Sequence, residues 1–260
     1  MDVKPRGAWT TGTGDAESML AEARKALFVM VGFLAFLWIV QIVNVADSYR
    51  LIGEFGIRSR SVSSLPDIFT APFIHVSWTH IEANSGPLFI FGFLAAYRGV
   101  VRFLGLSMLV IIVSGFASWL TASAHSIGVG ASGLVFGYLG YILVRGIFDR
   151  HLIDLIIGAV MALCFAYQFT VLVPHAGIGW QDHVGGLVAG VAGGWVFRDK
   201  ARAKAARAAR EARTPKAPAA AGAPATAPGK AVAPASGSRA TVQYTGPRAD
   251  LHKELDDLGL

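Results

Sequence analysis

Residues 130–133 read Gly-Ala-Ser-Gly and open an apolar run that continues Leu-Val-Phe-Gly-Tyr-Leu-Gly-Tyr to residue 141. Ser132 has two interpretations in this setting. It is a nucleophile, or it is one of the small residues that let membrane helices pack closely. A serine in such a helix most often only packs or bonds back to its own helix, so the surrounding chain has to decide between the two.

The composition is that of a membrane protein. Hydrophobic residues make up 53% of the 260 residues and charged residues only 15%. A membrane-spanning helix needs about 20 mostly apolar residues. Runs long enough to cross or nearly cross a bilayer predict six spans, at residues 27–46, 80–97, 103–120, 132–148, 152–173 and 183–197. Cys164 is the only cysteine, which excludes a disulfide and a cysteine zinc site, and we expect no metal and no cofactor.

The runs predict an all-α, polytopic protein with three parts: an N-terminal segment 1–26, a membrane domain 27–198 and a tail 199–260. Lys and Arg concentrate in the terminal segments and in two of the turns, whereas the opposite side holds only Arg50, Arg58 and Arg60. Because positive side chains mark the cytoplasmic side, both termini are predicted to be cytoplasmic. The net charge of +6 is then a topology signal, so nucleic-acid binding is not expected. The Ala-, Gly- and Arg-rich composition favours a bacterial cell membrane.

The tail is polar and of low complexity. Residues 199–213 alternate Ala with Lys and Arg, which predicts a basic helix against anionic lipid headgroups. The alternative is a stop-transfer anchor that binds no specific lipid. Residues 214–240 are mainly Ala, Pro, Gly and Ser, a composition typical of disorder. Residues 249–260 form either a short docking helix or a frayed terminus.

Four polar side chains lie where the even-numbered spans begin. His80 and Asn84 are four residues apart in the second span, Ser132 opens the fourth, and His183 opens the sixth. With a cytoplasmic N-terminus every even span enters from the outer face, so all four lie within two helical turns of it, roughly 5 to 10 Å deep. Polar residues at that depth are costly and indicate a functional site.

Glycines predict which spans touch. Gly186, Gly190 and Gly194 share the helical face of His183, and a second bare stripe follows Ser132 at Gly133, Gly137 and Gly140. Backbones approach closely along such stripes. We therefore expect the fourth and sixth spans to pack together, with Ser132 and His183 at the same end of the contact.

A serine and a histidine suffice for amide hydrolysis. Neutral His183 would take the hydroxyl proton of Ser132 and then protonate the leaving amine. The tetrahedral oxyanion needs hydrogen-bond donors, which Asn84, His80 and backbone N–H groups at a helix N-terminus would supply. Asp182 is next to His183, but neighbours in a helix point about 100° apart, so we do not expect a triad acid.

These motifs resemble the rhomboid family of intramembrane serine proteases. The match covers about residues 27–197 and includes His75-x4-His80-x3-Asn84, Gly130-Ala131-Ser132-Gly133, and His183 followed by Gly186 and Gly190. The resemblance implies Ser132 as nucleophile, His183 as general base, and His80 with Asn84 in the oxyanion hole. It also implies a six-helix bundle that binds transmembrane protein substrates in the lipid bilayer and cleaves them in or near their transmembrane segments.

Two other functions are compatible with the sequence. A catalytically silent relative would bind membrane clients as a scaffold, although it would not need the serine, the histidine and the oxyanion residues together. A small transporter would line an ion path with His and Asn. The polar groups stop in the outer third of the predicted bundle, however, and no internal repeat is visible.

Overall fold

The computed structural model describes residues 11–174, 177 and 179–199. The predictions for the tail beyond residue 199 lie outside the described residues. The described chain is mostly helical, and its helices are α1 (Thr11–Ala46), α2 (Arg50–Phe55), α3 (Trp78–Ala96), α4 (Val100–Thr121), α5 (Ser132–Phe148), α6 (Leu152–Cys164) and α7 (Trp180–Val196). Short 3-10 helices cover Val62–Ser64, Pro66–Phe69, Ala71–Phe73 and Ala166–Leu172. Two short strands, β1 (Ile57–Arg58) and β2 (Ile127–Gly128), pair antiparallel.

Two helices are long and apolar enough to cross a membrane, at Ala16–Ala46 and Val100–Thr121. α6 and the 3-10 helix Ala166–Leu172 make a third candidate span, bent by 69°. α5 is a shorter apolar helix whose bounds are those of the predicted fourth span. Length and composition thus establish two or three apolar spans in the described chain, and six spans stay a prediction.

α1 extends further toward the N-terminus than the predicted first span. It is continuous from Thr11 to Ala46 and runs through the boundary expected at residue 26, because residues 16–26 are mostly Ala, Glu, Met, Leu, Lys and Arg, which favour helix. Ala26 and Met30 are fully buried. The side chain of Met30 fills the space left by the missing Cβ of Gly92 on α3, so α1 packs closely on α3.

α7 packs against α5 along the predicted glycine stripes. A Cβ on Gly186 would collide with the carbonyl oxygen of Gly133, and a Cβ on Gly190 would collide with that of Gly137. The two backbones are therefore in direct contact, which confirms the predicted pairing of these helices. Ser132 and His183 begin the two helices at the same end of this contact.

The predicted fifth span is not one straight helix. The α-helix ends at Cys164, and the chain continues at 69° as the 3-10 helix Ala166–Leu172. At the bend, the ring of Phe165 packs edge-on against Phe91 of α3, with centroids 4.7 Å apart. The bend carries the backbone of residues 166–172 over the N-terminus of α7, where the carbonyl oxygen of Val171 lies 2.9 Å from Nδ1 of His183.

The loop between α1 and α3 holds the turn that precedes Ser132. β1 of this loop pairs with β2 of the segment before α5, with Ile57 opposite Gly128. The N–H of Gly130 donates to the carbonyl of Ala71 at 3.0 Å. The two segments are therefore fixed to each other along one wall of the cavity described next.

An ionic cluster closes the opposite end of the bundle. The buried carboxylate of Asp154 on α6 accepts hydrogen bonds from Arg98 and from Arg145 of α5, the latter at 2.6 Å. Nδ1 of His151 lies 3.0 Å from the same carboxylate. Removing one partner of such a buried pair leaves an uncompensated charge, so this cluster joins α5 and α6 firmly.

Candidate active site

A cavity of about 630 Å³ opens between the N-terminal ends of α3, α5 and α7. All four predicted site residues line it: His80, Asn84, Ser132 and His183. The remaining wall comes mainly from α4, from the loop between α1 and α3, from β2 and from the 3-10 helix after α6. The fold thus brings His80 and His183 to the same cavity, although they are 103 positions apart in sequence.

The turn before Ser132 is tightly specified. Gly130 has φ +123°, and a Cβ there would meet Cε1 of His80 at 2.7 Å. Only glycine adopts such a backbone without strain, so the turn requires glycine at position 130. Ser132 follows as the first residue of α5, where backbone N–H groups lack helical partners.

His75 supports this turn from the loop between α1 and α3. Its Nε2 accepts a hydrogen bond from the N–H of Ala131 at 3.3 Å, and its carbonyl accepts one from Asn44 of α1 at 3.0 Å. The side chain is fully buried. Burial, with a smaller contribution from neighbouring His80, lowers the pKa of His75 to about 3, so the ring is neutral at physiological pH. The sequence placed His75 in a motif but did not reveal this contact, which joins residues 56 positions apart.

His183 is held on two sides. Its Nδ1 lies 2.9 Å from the carbonyl oxygen of Val171, on the 3-10 helix after α6. Its ring stacks on Phe136, one turn beyond Ser132 on α5, with centroids 4.8 Å apart. Because a carbonyl only accepts hydrogen bonds, the contact assigns the proton to Nδ1 and leaves Nε2 free as a base.

The Ser132 hydroxyl has a partner that the sequence analysis did not assign. Its Oγ donates to Oδ2 of Asp182 at 3.5 Å, and within the described residues no hydrogen bond joins it to His183. The Asp182 carboxylate also faces the hydroxyl of Ser114 and the N–H of Gly133. The Asp182 carboxylate thus contacts the serine itself, whereas Nδ1 of His183 contacts the carbonyl of Val171. Because neighbouring side chains on a helix point about 100° apart, the Asp182 side chain points toward α5.

His80 and Asn84 present donors to the cavity from α3. The helix begins after Ser77, whose Oγ accepts the N–H of His80 at 3.1 Å. Asn84 is 8% exposed, and its Nδ2 has no hydrogen-bond partner among the described residues. Nδ1 of His80 is likewise unpaired in this part of the chain. A donor without a partner, such as Nδ2 of Asn84, is what an oxyanion site requires.

Metal binding has no evident site in the described chain. Residues 11–174, 177 and 179–199 contain no group of three or more His, Cys, Asp or Glu side chains that could hold a metal ion.

Comparisons with known proteins agree with the sequence motifs. A model of the rhomboid domain matches residues 63–200. An uncharacterized protein of Mycobacterium tuberculosis is 34% identical over 173 residues, covering 63% of this chain and 72% of that protein. An uncharacterized protein of Mycobacterium leprae is 33% identical over 190 residues, covering 67% and 75%. The rhomboid protease GlpG of Haemophilus influenzae is 23% identical over 183 residues, covering 69% and 94%.

Proposed function

The chain belongs to the rhomboid family, and we propose that it is an intramembrane serine endopeptidase that cleaves membrane-anchored proteins in or near their transmembrane segments. One observation carries the proposal: three helix N-termini meet at one cavity, and each brings polar groups suited to acyl transfer. They are Ser132 from α5, His183 from α7, and His80 with Asn84 from α3. The similarity to a rhomboid protease of Haemophilus influenzae supports the same reaction class.

In the proposed reaction, Oγ of Ser132 attacks the carbonyl carbon of the scissile peptide bond and transfers its proton to Nε2 of His183. The contact between Nδ1 of His183 and the Val171 carbonyl supports this role, because it favours the tautomer with a free Nε2 and stabilises the imidazolium that forms. The imidazolium then gives the proton to the leaving amine. Water, deprotonated by the same ring, attacks the acyl-enzyme and releases the second product.

The oxyanion of the tetrahedral intermediate would be stabilised by donors on α3. Nδ2 of Asn84 is buried, lines the cavity and has no partner in the described chain. His80 adds a second donor from one turn earlier. A donor that is preorganised in a water-poor site typically contributes about a hundred- to a thousandfold to the rate.

The proposal includes an organisation in the membrane. The apolar helices make the chain an integral membrane protein, and we propose six spans with both termini cytoplasmic. The proposal keeps the division into residues 1–26, 27–198 and 199–260, and it keeps both interpretations of the basic residues 199–213, an anionic-lipid contact or a stop-transfer anchor. Transmembrane proteins in the bilayer are the proposed substrates. The mycobacterial relatives support a bacterial cell membrane as the location.

Labelling with a fluorescent fluorophosphonate tests the reaction without knowledge of the substrate. The reagent forms an Oγ–phosphorus bond with an activated serine, fluoride leaves, and the hydroxyl proton goes to the base. The native chain in detergent should label, and Ser132→Ala and His183→Ala should not. Ser123→Ala is the matched control, because this exposed serine lies in the loop before α5, and it should label like the native chain.

A catalytically silent scaffold is the second candidate, favoured by the hydrogen bond from Ser132 to Asp182 instead of to His183. If a well-folded native chain stays unlabelled while an established rhomboid protease labels in parallel, the protease proposal fails and the scaffold becomes the better account. Labelling that survives in Ser132→Ala would instead remove this serine from the nucleophile role.

A further inference from the structure

The carboxylate of Asp182 is the group that contacts the candidate nucleophile in the resting structure. Its Oδ2 accepts the hydrogen bond of Ser132 Oγ at 3.5 Å. Contacts with the Ser114 hydroxyl of α4 and the Gly133 N–H of α5 fix the carboxylate in place. A Cβ at Gly133 would lie 2.7 Å from Oδ2, so the absence of a side chain there is what admits the carboxylate.

We propose that Asp182 is a positioning residue that holds the hydroxyl of Ser132 in a resting orientation, directed away from His183, and thereby lowers the reactivity of the nucleophile. This inference rests on the proposed protease function. It adds to the same cavity a residue that lowers the reactivity of the nucleophile. This residue lies immediately before the proposed general base in the sequence.

The physical basis is that a serine hydroxyl carries one proton and donates it to one acceptor at a time. While that proton is directed at Asp182, Nε2 of His183 cannot receive it. The contact is long, at 3.5 Å, so the carboxylate orients the hydroxyl while the proton stays on Oγ. Its negative charge also opposes the charge that develops on Oγ as the serine attacks.

A purely structural role for Asp182 predicts a different outcome. Gly133 lies in the first turn of α5, where an acidic side chain stabilises the helix by satisfying N–H groups and by its charge. If Asp182 were only a cap, its removal would loosen α5 and slow the nucleophile. If Asp182 restrains Ser132, its neutralisation accelerates the nucleophile even though the fold becomes less stable.

The experiment compares initial rates of fluorophosphonate labelling in the full chain at pH 7.5 for the native protein and Asp182→Asn. Asparagine keeps the shape but removes the charge, and its amide donates to Oγ, so the hydroxyl proton is available to His183. We expect roughly tenfold faster labelling, the lower end of the strength of hydrogen bonds to charged groups, because the contact is long. Ser132→Ala in the Asp182→Asn background should abolish it.

Two further variants keep the test decisive. Asp182→Ser, whose short hydroxyl can serve the Gly133 N–H without a charge, is an independent replacement should Asp182→Asn fail to fold, and it should also label faster. Glu82→Gln is the matched control, because this exposed carboxylate lies on α3 near the same end of the bundle; it should label at the native rate.

Labelling of the folded Asp182 variants at or below the native rate, with the native chain itself reactive, overturns the inference and leaves the protease proposal intact. If neither the native chain nor the Asp182 variants label while an established rhomboid protease does, the protease proposal and this inference fail together.

Discussion

The carbonyl oxygen of Val171 lies 2.9 Å from Nδ1 of His183, so a backbone group occupies the place that a carboxylate takes in a Ser-His-Asp triad. The contact depends on the bend after Cys164, which brings the 3-10 helix Ala166–Leu172 over α7. A carbonyl orients the imidazole without adding a full charge to a buried site. The arrangement gives a physical reason why the proposed dyad of Ser132 and His183 would need no third side chain.

The first prediction is that neutral His183 carries its proton on Nδ1. Nitrogen-15 NMR of histidine-labelled protein at pH 8 distinguishes the two ring nitrogens, and a His183→Gln variant assigns the signals. We expect a protonated Nδ1 and a bare Nε2. A neutral ring protonated on Nε2 would contradict the donor role toward Val171 and would remove the proposed base.

The second prediction concerns His75, which accepts the N–H of Ala131. Asparagine is too short to reach the position of Nε2, so His75→Asn should leave a buried donor unsatisfied at a cost of about 1–3 kcal/mol. The melting temperature should fall, and fluorophosphonate labelling should slow because the turn before Ser132 loosens. His125→Asn is the control: His125 is exposed and has φ 65°, which asparagine tolerates. Equal losses in both variants would contradict a specific role for His75.

The third prediction is a pH dependence of stability. Because burial lowers the pKa of His75 to about 3, the unfolded chain binds a proton below its ordinary pKa of about 6.5 while the folded chain does not. The contribution of the neutral ring to stability is therefore complete above about pH 6.5 and is lost as the pH falls, by up to about 1.4 kcal/mol per pH unit.

Unfolding of the native chain and of His75→Asn, measured at pH 7.5 and pH 5, tests this dependence. The stability advantage of the native chain should narrow by about 2 kcal/mol at the lower pH, because asparagine does not titrate. An advantage that is constant with pH would show that His75 titrates as it does in the unfolded chain.

The sequence predicted those parts of the site that depend on helix periodicity. The glycine stripes identified the α5–α7 contact, and four-residue spacing put His80 and Asn84 on one face; both line the cavity. Two contacts had no such signal. Val171 contacts His183 through its backbone carbonyl. Every residue has this group, so the residue type does not predict the contact. The contact of Asp182 with Ser132 depends on how closely α5 and α7 approach each other. The 100° angle between neighbours on one helix gives the direction of the Asp182 side chain but not the distance between the two helices.

The bend after Cys164 was also beyond the sequence argument. Residues 152–173 form one apolar run, and an apolar run has the same appearance whether or not its helix is broken. Phe165 packs on Phe91 at the break, and hydropathy does not represent such tertiary contacts. The same limit applies to α1, where the apolar stretch marks a span but not the start of the helix at Thr11.

The fourth prediction tests the contact of α5 with α7. Gly190→Ala places a methyl group where the carbonyl of Gly137 lies, so the helices must separate, at a cost of typically about 1–3 kcal/mol for overpacking. Thermal stability and labelling should both fall, since Ser132 and His183 are carried by these helices. Gly86→Ala is the matched control, because a Cβ at Gly86 meets nothing within 4 Å. Gly190→Ala with native stability would refute the close approach.

The fifth prediction concerns orientation, which depends on the distribution of Lys and Arg. Cys164 is exposed, so the experiment starts from Cys164→Ala and adds one cysteine, either Ser123→Cys before α5 or Ser236→Cys in the tail. A membrane-impermeant maleimide applied to intact cells should label the first and reach the second only after permeabilisation. The opposite pattern would mean that the chain has the reverse orientation in the membrane. The cavity lies at the N-terminal ends of α3, α5 and α7, so it would then be on the cytoplasmic side. Substrates would then be cleaved near their cytoplasmic ends, so this measurement decides which end of a transmembrane protein the cavity meets.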